Sequence, residues 1–226
     1  MSKLEHVTVE CPVCGLSQQT NRFQSLNAQL LPHVADEVLA GTFAQLTCDG
    51  CGETWRPEQK MLFADVPHRL WVVMHPRADR SHRKALEEET MAYFAQEFGA
   101  APSPVMKALS ECQILLVFGH ERLTEAVRLS RAGIPQPLVE CLKLTVMRDR
   151  LADFYVLGPV ELVYEQAEEG QITFGVHRLE DGSRVKAVEV PFERLHEIAS
   201  QQEHFMQHYP DLFGKPSCDC CRYLYA

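Results

Sequence analysis

Apolar and polar residues follow a strand-like pattern over the first part of the chain, with one helical segment inside it. Val7 and Val9 alternate with polar neighbours, which is typical of a half-buried strand. Apolar stretches over 54–64 and 70–74 predict two more strands. Over 32–41, an apolar stripe at helical spacing, a proline near the start and a glycine at the end predict a short helix.

The middle of the chain has mostly helical periodicity. One helix is predicted with Asp79 or Ser81 as its N-cap and an end at about Phe98, and a loop with two prolines follows over 100–104. The continuous apolar run 112–118 has the length of a buried strand. Two more helices are predicted, over 121–131 and after Pro135.

From Phe154 onward the apolar period changes to two. Segments 160–164, 172–176 and 185–190 therefore predict antiparallel strands. The other elements predicted here are hairpin turns at Glu169-Gly170 and Asp181-Gly182, a last helix over 192–208 and a short strand over 222–225.

Two Cys-x-x-Cys motifs lie in the strand-rich first part, at Cys11/Cys14 and at Cys48/Cys51, and a glycine directly follows each motif. Two cysteines with two residues between them can face one ion across a tight turn. Four such thiolates suit the tetrahedral coordination of Zn²⁺. The glycine can take a positive φ and lets backbone N–H groups point at the sulfurs. The motifs therefore predict a zinc site formed by these four cysteines.

The interval between the motifs is long, and it leaves other ligand sets to consider. Thirty-three residues separate Cys14 from Cys48, against about 15–20 in the common pattern. A pair of disulfides is disfavoured in a chain with the character of a cytosolic protein. A histidine could replace one cysteine, although four thiolates already close the coordination shell. The histidines considered for this role are His6, His33, His68 and His75.

Together these patterns predict an α+β protein. Residues 1–76 are expected to form a four-cysteine zinc ribbon with the short helix inserted between its two motifs. Residues 77–226 are expected to form a body of helices and antiparallel sheet. The body is either a separate domain or packed with the ribbon as one domain.

The charge of the chain bears on its partners. The formal net charge is −9, whereas contact with phosphates requires clustered Lys and Arg. A small basic cluster over 77–84 is followed at once by Glu87, Glu88 and Glu89, and we interpret it as a solvated helix face. Nucleic acid is therefore not the expected partner, although a ribbon that contacts RNA polymerase stays open.

The sequence predicts no association with a membrane. No apolar run approaches the length of about 20 residues that a spanning helix needs. The first residues lack the basic start and apolar stretch of a signal peptide. We therefore expect a cytoplasmic protein, in which the nine cysteines are reduced thiols or metal ligands.

Three cysteines lie within four residues near the end of the chain, at Cys218, Cys220 and Cys221. His204 and His208 are four residues apart on the polar side of the predicted last helix, and they could join these thiols in a second metal site. Alternatively the thiols are redox-active, or they only pack inside the core. This cluster is the feature that favours a thiol- or metal-dependent enzyme, but no base or oxyanion donor can be paired with it.

The remaining residues of chemical interest have structural interpretations. Cys112 and Cys141 lie on apolar stripes, and we expect both to be small core residues. Trp55 and Trp71 are expected in or near the core, unless one of them marks a partner surface. Neither a glycine-rich phosphate loop nor a complete metalloprotease motif occurs in the sequence.

Several segments accompany the two cysteine motifs in a fixed order. They are Gly41 and Phe43, Leu62-Phe63-Ala64-Asp65, Pro76, Val117-Phe118-Gly119, Glu121 to Glu125 and Glu140 to Leu144. With the motifs, this set resembles the bacterial CpXC-domain family over roughly residues 5–150. The resemblance implies a zinc-binding cytoplasmic protein of bacteria and implies no reaction. The chain departs from the family at Phe63-Ala64-Asp65, where an aromatic-polar-acid run is expected.

A closed four-cysteine site organises a fold without performing chemistry, so we expect a binding function. The first hypothesis is a protein-interaction or adaptor module that presents a zinc-stiffened surface to a protein partner. The second is a regulatory zinc ribbon associated with nucleic acid or with RNA polymerase. The third is the enzyme that the cysteine cluster at the end of the chain would serve.

Overall fold

Strands and helices follow one another in short runs along the chain. The computed structural model describes residues 2–100 and 103–225, of which 97–100 and 103–106 are described by their backbone alone. The strands are β1 (Lys3–Glu10), β2 (Ser17–Asn27), β3 (Leu46–Thr47), β4 (Thr54–Trp55), β5 (Met61–Asp65), β6 (Leu70–His75), β7 (Gln113–Phe118), β8 (Val160–Glu168), β9 (Gln171–Arg178) and β10 (Arg184–Pro191). The helices are α1 (Pro32–Ala40), α2 (Arg83–Ala100), α3 (Ser103–Ser110), α4 (His120–Arg131), α5 (Gln136–Asp149), α6 (Leu151–Tyr155), α7 (Glu193–Ser200), α8 (Gln202–His208) and α9 (Pro210–Gly214), with 3-10 turns at Val66–His68, Arg77–His82 and Cys220–Tyr223.

Among the described residues, a main sheet has five strands in the order β1-β2-β5-β6-β7. The pairs β1–β2 and β5–β6 are antiparallel, whereas β2–β5 and β6–β7 are parallel. Residues 1–76 thus supply four strands of this sheet and residues 77–226 supply the fifth. The two predicted parts of the chain share one sheet, and the boundary at residue 76 stays a prediction.

Both faces of the main sheet are covered at its centre. All six residues of β6 are buried, because α2 and α3 lie on one face and α4 lies on the other. The first face carries Trp71, as predicted for that residue, with Val73 and Phe118. The second face opens onto the main core, which also contains the buried Cys141. Cys112, expected in the core, is only half-buried.

A second sheet, in the order β10-β9-β8, is antiparallel as the sequence predicts. The predicted turn at Glu169-Gly170 is confirmed, since both residues have positive φ, 50° and 76°. Helix α4 contacts β8 as well as the main sheet, so it lies between the two sheets. The α+β class is therefore confirmed, with α1 inserted between the two cysteine motifs as predicted.

Several predicted boundaries are wrong. The predicted last helix is two helices, α7 and α8, which break at Gln201, and α9 follows. The predicted strand over 222–225 is a 3-10 turn at Cys220–Tyr223, because Glu140 and Glu87 on distant helices hold this segment and no strand of the described chain pairs with it. The predicted strand 54–64 forms only β4 and β5. Of the predicted loop 100–104, residues 101 and 102 lie outside the described residues, while α2 ends at Ala100 and α3 begins at Ser103.

The interpretation of the basic cluster over 77–84 as a solvated face is wrong for its first members. The guanidinium of Arg77 is buried and forms ion pairs with Glu58 (3.2 Å), Glu161 (3.1 Å) and Glu121. A Cβ atom at Gly182, where φ is 72°, would lie 2.3 Å from Nη2 of Arg77. Glycine is therefore required there to admit the arginine. The sequence pattern missed this because every partner comes from another part of the chain.

Buried charges also join α4 to α5. Arg122, Glu125, Glu140 and Lys143 have at most 3% of their surface exposed. Glu140 accepts hydrogen bonds of 2.7 Å from both Arg122 and Lys143, and Glu125 forms ion pairs with the same two cations. Burial opposes ionisation of Glu140, but the neighbouring Arg122 and Lys143 outweigh it and lower the pKa of that carboxyl. The carboxyl of Glu140 is therefore held ionised in the core.

Removal of one buried cation is expected to destabilise the fold strongly. Lys143→Met would leave two buried carboxylates with Arg122 alone, at a cost of about 3–5 kcal/mol. The matched control is Lys60→Met, which breaks the exposed pair with Glu89 and should cost less than about 1 kcal/mol. Urea unfolding of both variants measures the difference. Equal midpoints for the two variants would contradict the assigned burial.

The stability should also depend on pH through His120. Its Nε2–H donates to the carbonyl oxygen of Pro57 at 3.1 Å, while Nδ1 is buried with no partner among the described residues. Burial lowers the pKa of His120. The folded chain thus keeps it neutral, whereas the unfolded chain binds a proton below about pH 6.5. The free energy of unfolding should therefore fall as the pH decreases from about 7 to about 5.

The variant His120→Gln isolates this effect, because other groups also titrate in this range. Its unfolding free energy should decrease less steeply with falling pH than that of the wild type. The exposed His33→Gln serves as the control and should keep the wild-type slope. Identical slopes for wild type and His120→Gln would refute the role of His120.

Candidate metal centre

The first cysteine motif forms the turn between β1 and β2. The backbone N–H of Cys11 donates to the carbonyl oxygen of Leu16 at 2.9 Å, and the N–H of Gly15 donates to the carbonyl oxygen of Cys11 at 2.9 Å. Gly15 has a φ of 72°, a conformation that glycine adopts without steric cost. These bonds close the turn and direct Cys11 and Cys14 to one side of it.

The second motif repeats this geometry between β3 and β4. Cys48 N–H donates to the carbonyl oxygen of Glu53 at 2.8 Å, and Gly52 N–H donates to that of Cys48 at 3.0 Å. Gly52 has a φ of 73°. The two turns therefore have the same hydrogen bonds at the same spacing, as the shared Cys-x-x-Cys-Gly pattern leads one to expect.

The two turns bring the four sulfurs together. The Sγ atoms of Cys11 and Cys51 are 3.7 Å apart, and those of Cys14 and Cys48 are 3.5 Å apart. All four sulfurs lie within 4.8 Å of one another. Zn–S bonds of about 2.3 Å place the sulfurs of a tetrahedron about 3.8 Å apart. A disulfide requires about 2.05 Å, and all nine cysteines are free thiols, so the group fits a metal ion and not a pair of disulfides.

A glutamine outside both motifs joins the two turns. Gln18 on β2 donates from Nε2 to the carbonyl oxygen of Thr47 at 3.2 Å and accepts at Oε1 from the N–H of Asp49 at 3.3 Å. Leu16 also packs on the second turn, since a Cβ at Gly50 would lie 3.0 Å from its Cδ2 atom. The motif spacing gave no signal for Gln18, whose role depends on which strand faces the second turn.

The four thiols differ in their surroundings. Cys11 and Cys48 are buried, with 2% and 3% of their surface exposed, while Cys14 and Cys51 are exposed. The Gly50 N–H lies 3.4 Å from Sγ of Cys48. The backbone N–H groups of Cys51 and Gly50 lower the pKa of Cys48 to about 7. These backbone groups therefore favour a thiolate at Cys48, the form that binds metal. At Cys51 the backbone N–H of Glu53 acts in the same direction, but burial and the neighbouring thiols outweigh it and raise the pKa to about 12.

The histidines that were considered as alternative ligands lie outside this group. His68 is bonded to Asp65 at 2.9 Å and His75 to Asp79 at 3.3 Å. In the part of the chain that the structure describes, the group of potential ligands around the two turns contains only the four cysteines.

The end of the chain forms a second group of potential ligands, with a different composition from the predicted one. Cys220 and Cys221 lie together with Asp219, and one ligand atom of each is within 4.8 Å of the others. Cys218 is buried nearby in sequence, and its thiol donates to the carbonyl oxygen of Leu212 at 3.0 Å. Sequence reasoning missed Asp219, although it stands between the cysteines.

The two histidines predicted for the second site are elsewhere. The rings of His204 and His208 are 4.1 Å apart, and His208 Nδ1–H donates to the backbone oxygen of His204 at 2.8 Å. Both residues are exposed on α8. Neither belongs to the group around Cys220 and Cys221.

These observations define a class: an α+β protein with a group of four cysteines able to bind a metal ion. The chain matches the family model described as CpXC protein over residues 9–143, more than half of its length, and it belongs to the CpXC family. The match covers both cysteine motifs and the charged residues of α4 and α5 up to Lys143, so the family resemblance is confirmed. No curated protein and no solved structure matches the chain.

Over residues 2–100 and 103–225, no helix combines the length and the apolar character needed to cross a bilayer.

Proposed function

We propose that Cys11, Cys14, Cys48 and Cys51 bind one Zn²⁺ ion, and that this ion stiffens a surface for a protein partner. The observation that carries the proposal is the approach of the four sulfurs, with pairs at 3.5 and 3.7 Å. Thiolates select soft or borderline ions, and four of them in a tetrahedron are typical of structural zinc. The free state of all nine cysteines fits a reducing compartment such as the cytoplasm.

The role of the ion in this proposal is structural. Four thiolates fill the tetrahedron, so no position is left for water or a substrate. The ion would join two hairpins that are otherwise linked by the exposed hydrogen bonds of Gln18 and by the contact of Leu16 with the second turn. Each such bond contributes only about 0.5–1.5 kcal/mol. Structural zinc in small peptides binds with about 10–16 kcal/mol, which becomes folding free energy.

The surface around the two turns favours a protein partner. Val13 and Leu16 have 67% and 41% of their surface exposed, and together they give the first turn an apolar character. Residues 8–21 and 44–55 contain three acids and no Lys or Arg. A zinc ion with four thiolates adds further negative charge. The expected partner is therefore a protein with an apolar patch and a basic rim, while phosphates would be repelled.

Loss of two exposed ligands is expected to remove the ion. The variant Cys14→Ser/Cys51→Ser should bind one equivalent of zinc less than the wild type, because serine does not replace a thiolate. Cys112→Ser, which changes a cysteine outside both groups, should keep the wild-type content. Elemental analysis of the purified proteins measures zinc per chain. An unchanged zinc content in the double variant would end the proposal.

The partner surface can be tested in extracts of the native host. Proteins that co-purify with the wild type should be depleted about tenfold with Val13→Ser/Leu16→Ser, because the apolar contact is lost. The comparison variant Tyr155→Ser/Val156→Ser changes another exposed apolar pair and should retain them. If the co-purifying proteins are lost only with Tyr155→Ser/Val156→Ser, the partner binds near Tyr155 and Val156 and not at the turns. If co-purification is abolished by nuclease and decreases steeply with salt concentration, the nucleic-acid alternative is favoured instead.

A further inference from the structure

The end of the chain presents three ligand atoms on one short turn. Asp219 begins the 3-10 turn Cys220–Tyr223, and its Oδ1 accepts a hydrogen bond of 2.9 Å from the N–H of Cys221. This bond folds the carboxylate back over the turn, toward the two thiols. The three residues have 5%, 1% and 5% of their surface exposed, and their ligand atoms lie within 4.8 Å of one another.

The turn is held rigidly by groups other than the two thiols. Glu140 accepts from the N–H of Cys220 at 2.9 Å, and Arg122 donates to the carbonyl oxygen of Cys218 at 3.2 Å. At the end of the chain, the hydroxyl of Tyr225 donates to the carbonyl oxygen of Val160 at 2.8 Å. Backbone and carboxylate contacts thus fix the segment. Anchoring the tail, residues 218–225, does not require two adjacent cysteines. The same contacts pre-organise the ligand atoms before any ion binds.

Cations beside the group offset the charge that two thiolates would bring. Oδ2 of Asp219 lies 3.4 Å from Nη1 of Arg80 and 3.8 Å from Nη1 of Arg83. Two thiolates, one carboxylate and a divalent ion together leave about one net negative charge. Arg80 also pairs with Oε2 of Glu161 at 2.6 Å, so Arg83 is the cation that can balance that charge in a buried site, where an unpaired charge would be costly.

An open cavity adjoins the group on one side. It has a volume of about 420 Å³, and Cys221 and Tyr225 contribute to its lining. The charged residues that line it are Arg80, Arg83 and Lys84, all cations. Cys221 therefore has one side toward Asp219 and Cys220 and another toward a basic cavity.

We propose that Asp219, Cys220 and Cys221 bind a second divalent ion of the zinc type, with a fourth coordination position that opens into this basic cavity and takes a small anion. Three protein ligands and one free position distinguish this centre from the closed four-cysteine site. The cations of the cavity favour an anionic fourth ligand, of which a phosphate or a carboxylate is the simplest form. The two sites share no ligand, so each can fail without the other.

The competing explanation is that the two thiols only fill space in the core. It predicts no metal at this end of the chain, so metal content separates the two explanations. The wild type should bind two equivalents of zinc, and Cys220→Ser/Cys221→Ser should bind one. Cys112→Ser should keep two. A double serine variant that binds as much zinc as the wild type overturns the second site, whatever the zinc content of the four-cysteine site.

A more conservative variant controls for unfolding of the double serine protein. Asp219→Asn keeps the shape of the side chain and its hydrogen bond to the N–H of Cys221, but removes the charge. It should release one of its two zinc ions to a chromogenic chelator at a concentration about tenfold lower than the wild type requires. Circular dichroism reports on the fold. Release of both ions at wild-type chelator concentrations would overturn the role of Asp219.

The open position can be tested with cobalt in place of zinc and inorganic phosphate as the probe. Phosphate at constant ionic strength should shift the d–d absorption of the wild type with saturation, because an exogenous ligand enters only the open site. Lys84→Gln should weaken this binding about threefold or more, while Lys107→Gln, outside the cavity, should not. A spectrum that phosphate leaves unchanged would show a closed centre and refute the open position.

Discussion

Buried charges that need partners determine how the end of the chain packs. Arg122 and Glu140 lie where water does not reach them, and an unpaired charge there would cost several kcal/mol. Part of their pairing comes from the backbone of the tail, through the carbonyl of Cys218 and the N–H of Cys220. Helices α4 and α5 therefore fix the tail, and with it the second group of potential ligands. The tail in turn satisfies charges that the helices could not bury alone.

The two groups of cysteines arise in different ways. In the four-cysteine group, each turn sets its own geometry through local hydrogen bonds, repeated at Gly15 and Gly52. One long-range condition remains, the meeting of the two hairpins, to which Gln18 contributes. The group around Cys220 is not local in this sense, because its position depends on charged side chains of distant helices. Local construction explains why the first group follows from the motif spacing and the second does not.

The sequence predicted several of the buried central elements correctly, although the predicted helix over 192–208 is two helices. Strands β6 and β7 were predicted from continuous apolar runs, and helices α4 and α5 from apolar stripes at helical spacing. Short elements such as α3 and α6 were missed, since a few residues cannot establish a period. Arg77 was misplaced because a charged side chain can be buried wherever its partners are, and those partners come from three other segments.

By itself the sequence determined the α+β class, the family and the four cysteines of the first group, because periodicity and motif spacing are local properties. Tertiary structure alone decided three further features: the sheet shared across residue 76, the burial of the charges on α4 and α5, and the meeting of Asp219 with two thiols. Each depends on which distant groups come into contact. Buried charges find their partners only in the folded chain, so no periodic pattern in the sequence identifies these pairs.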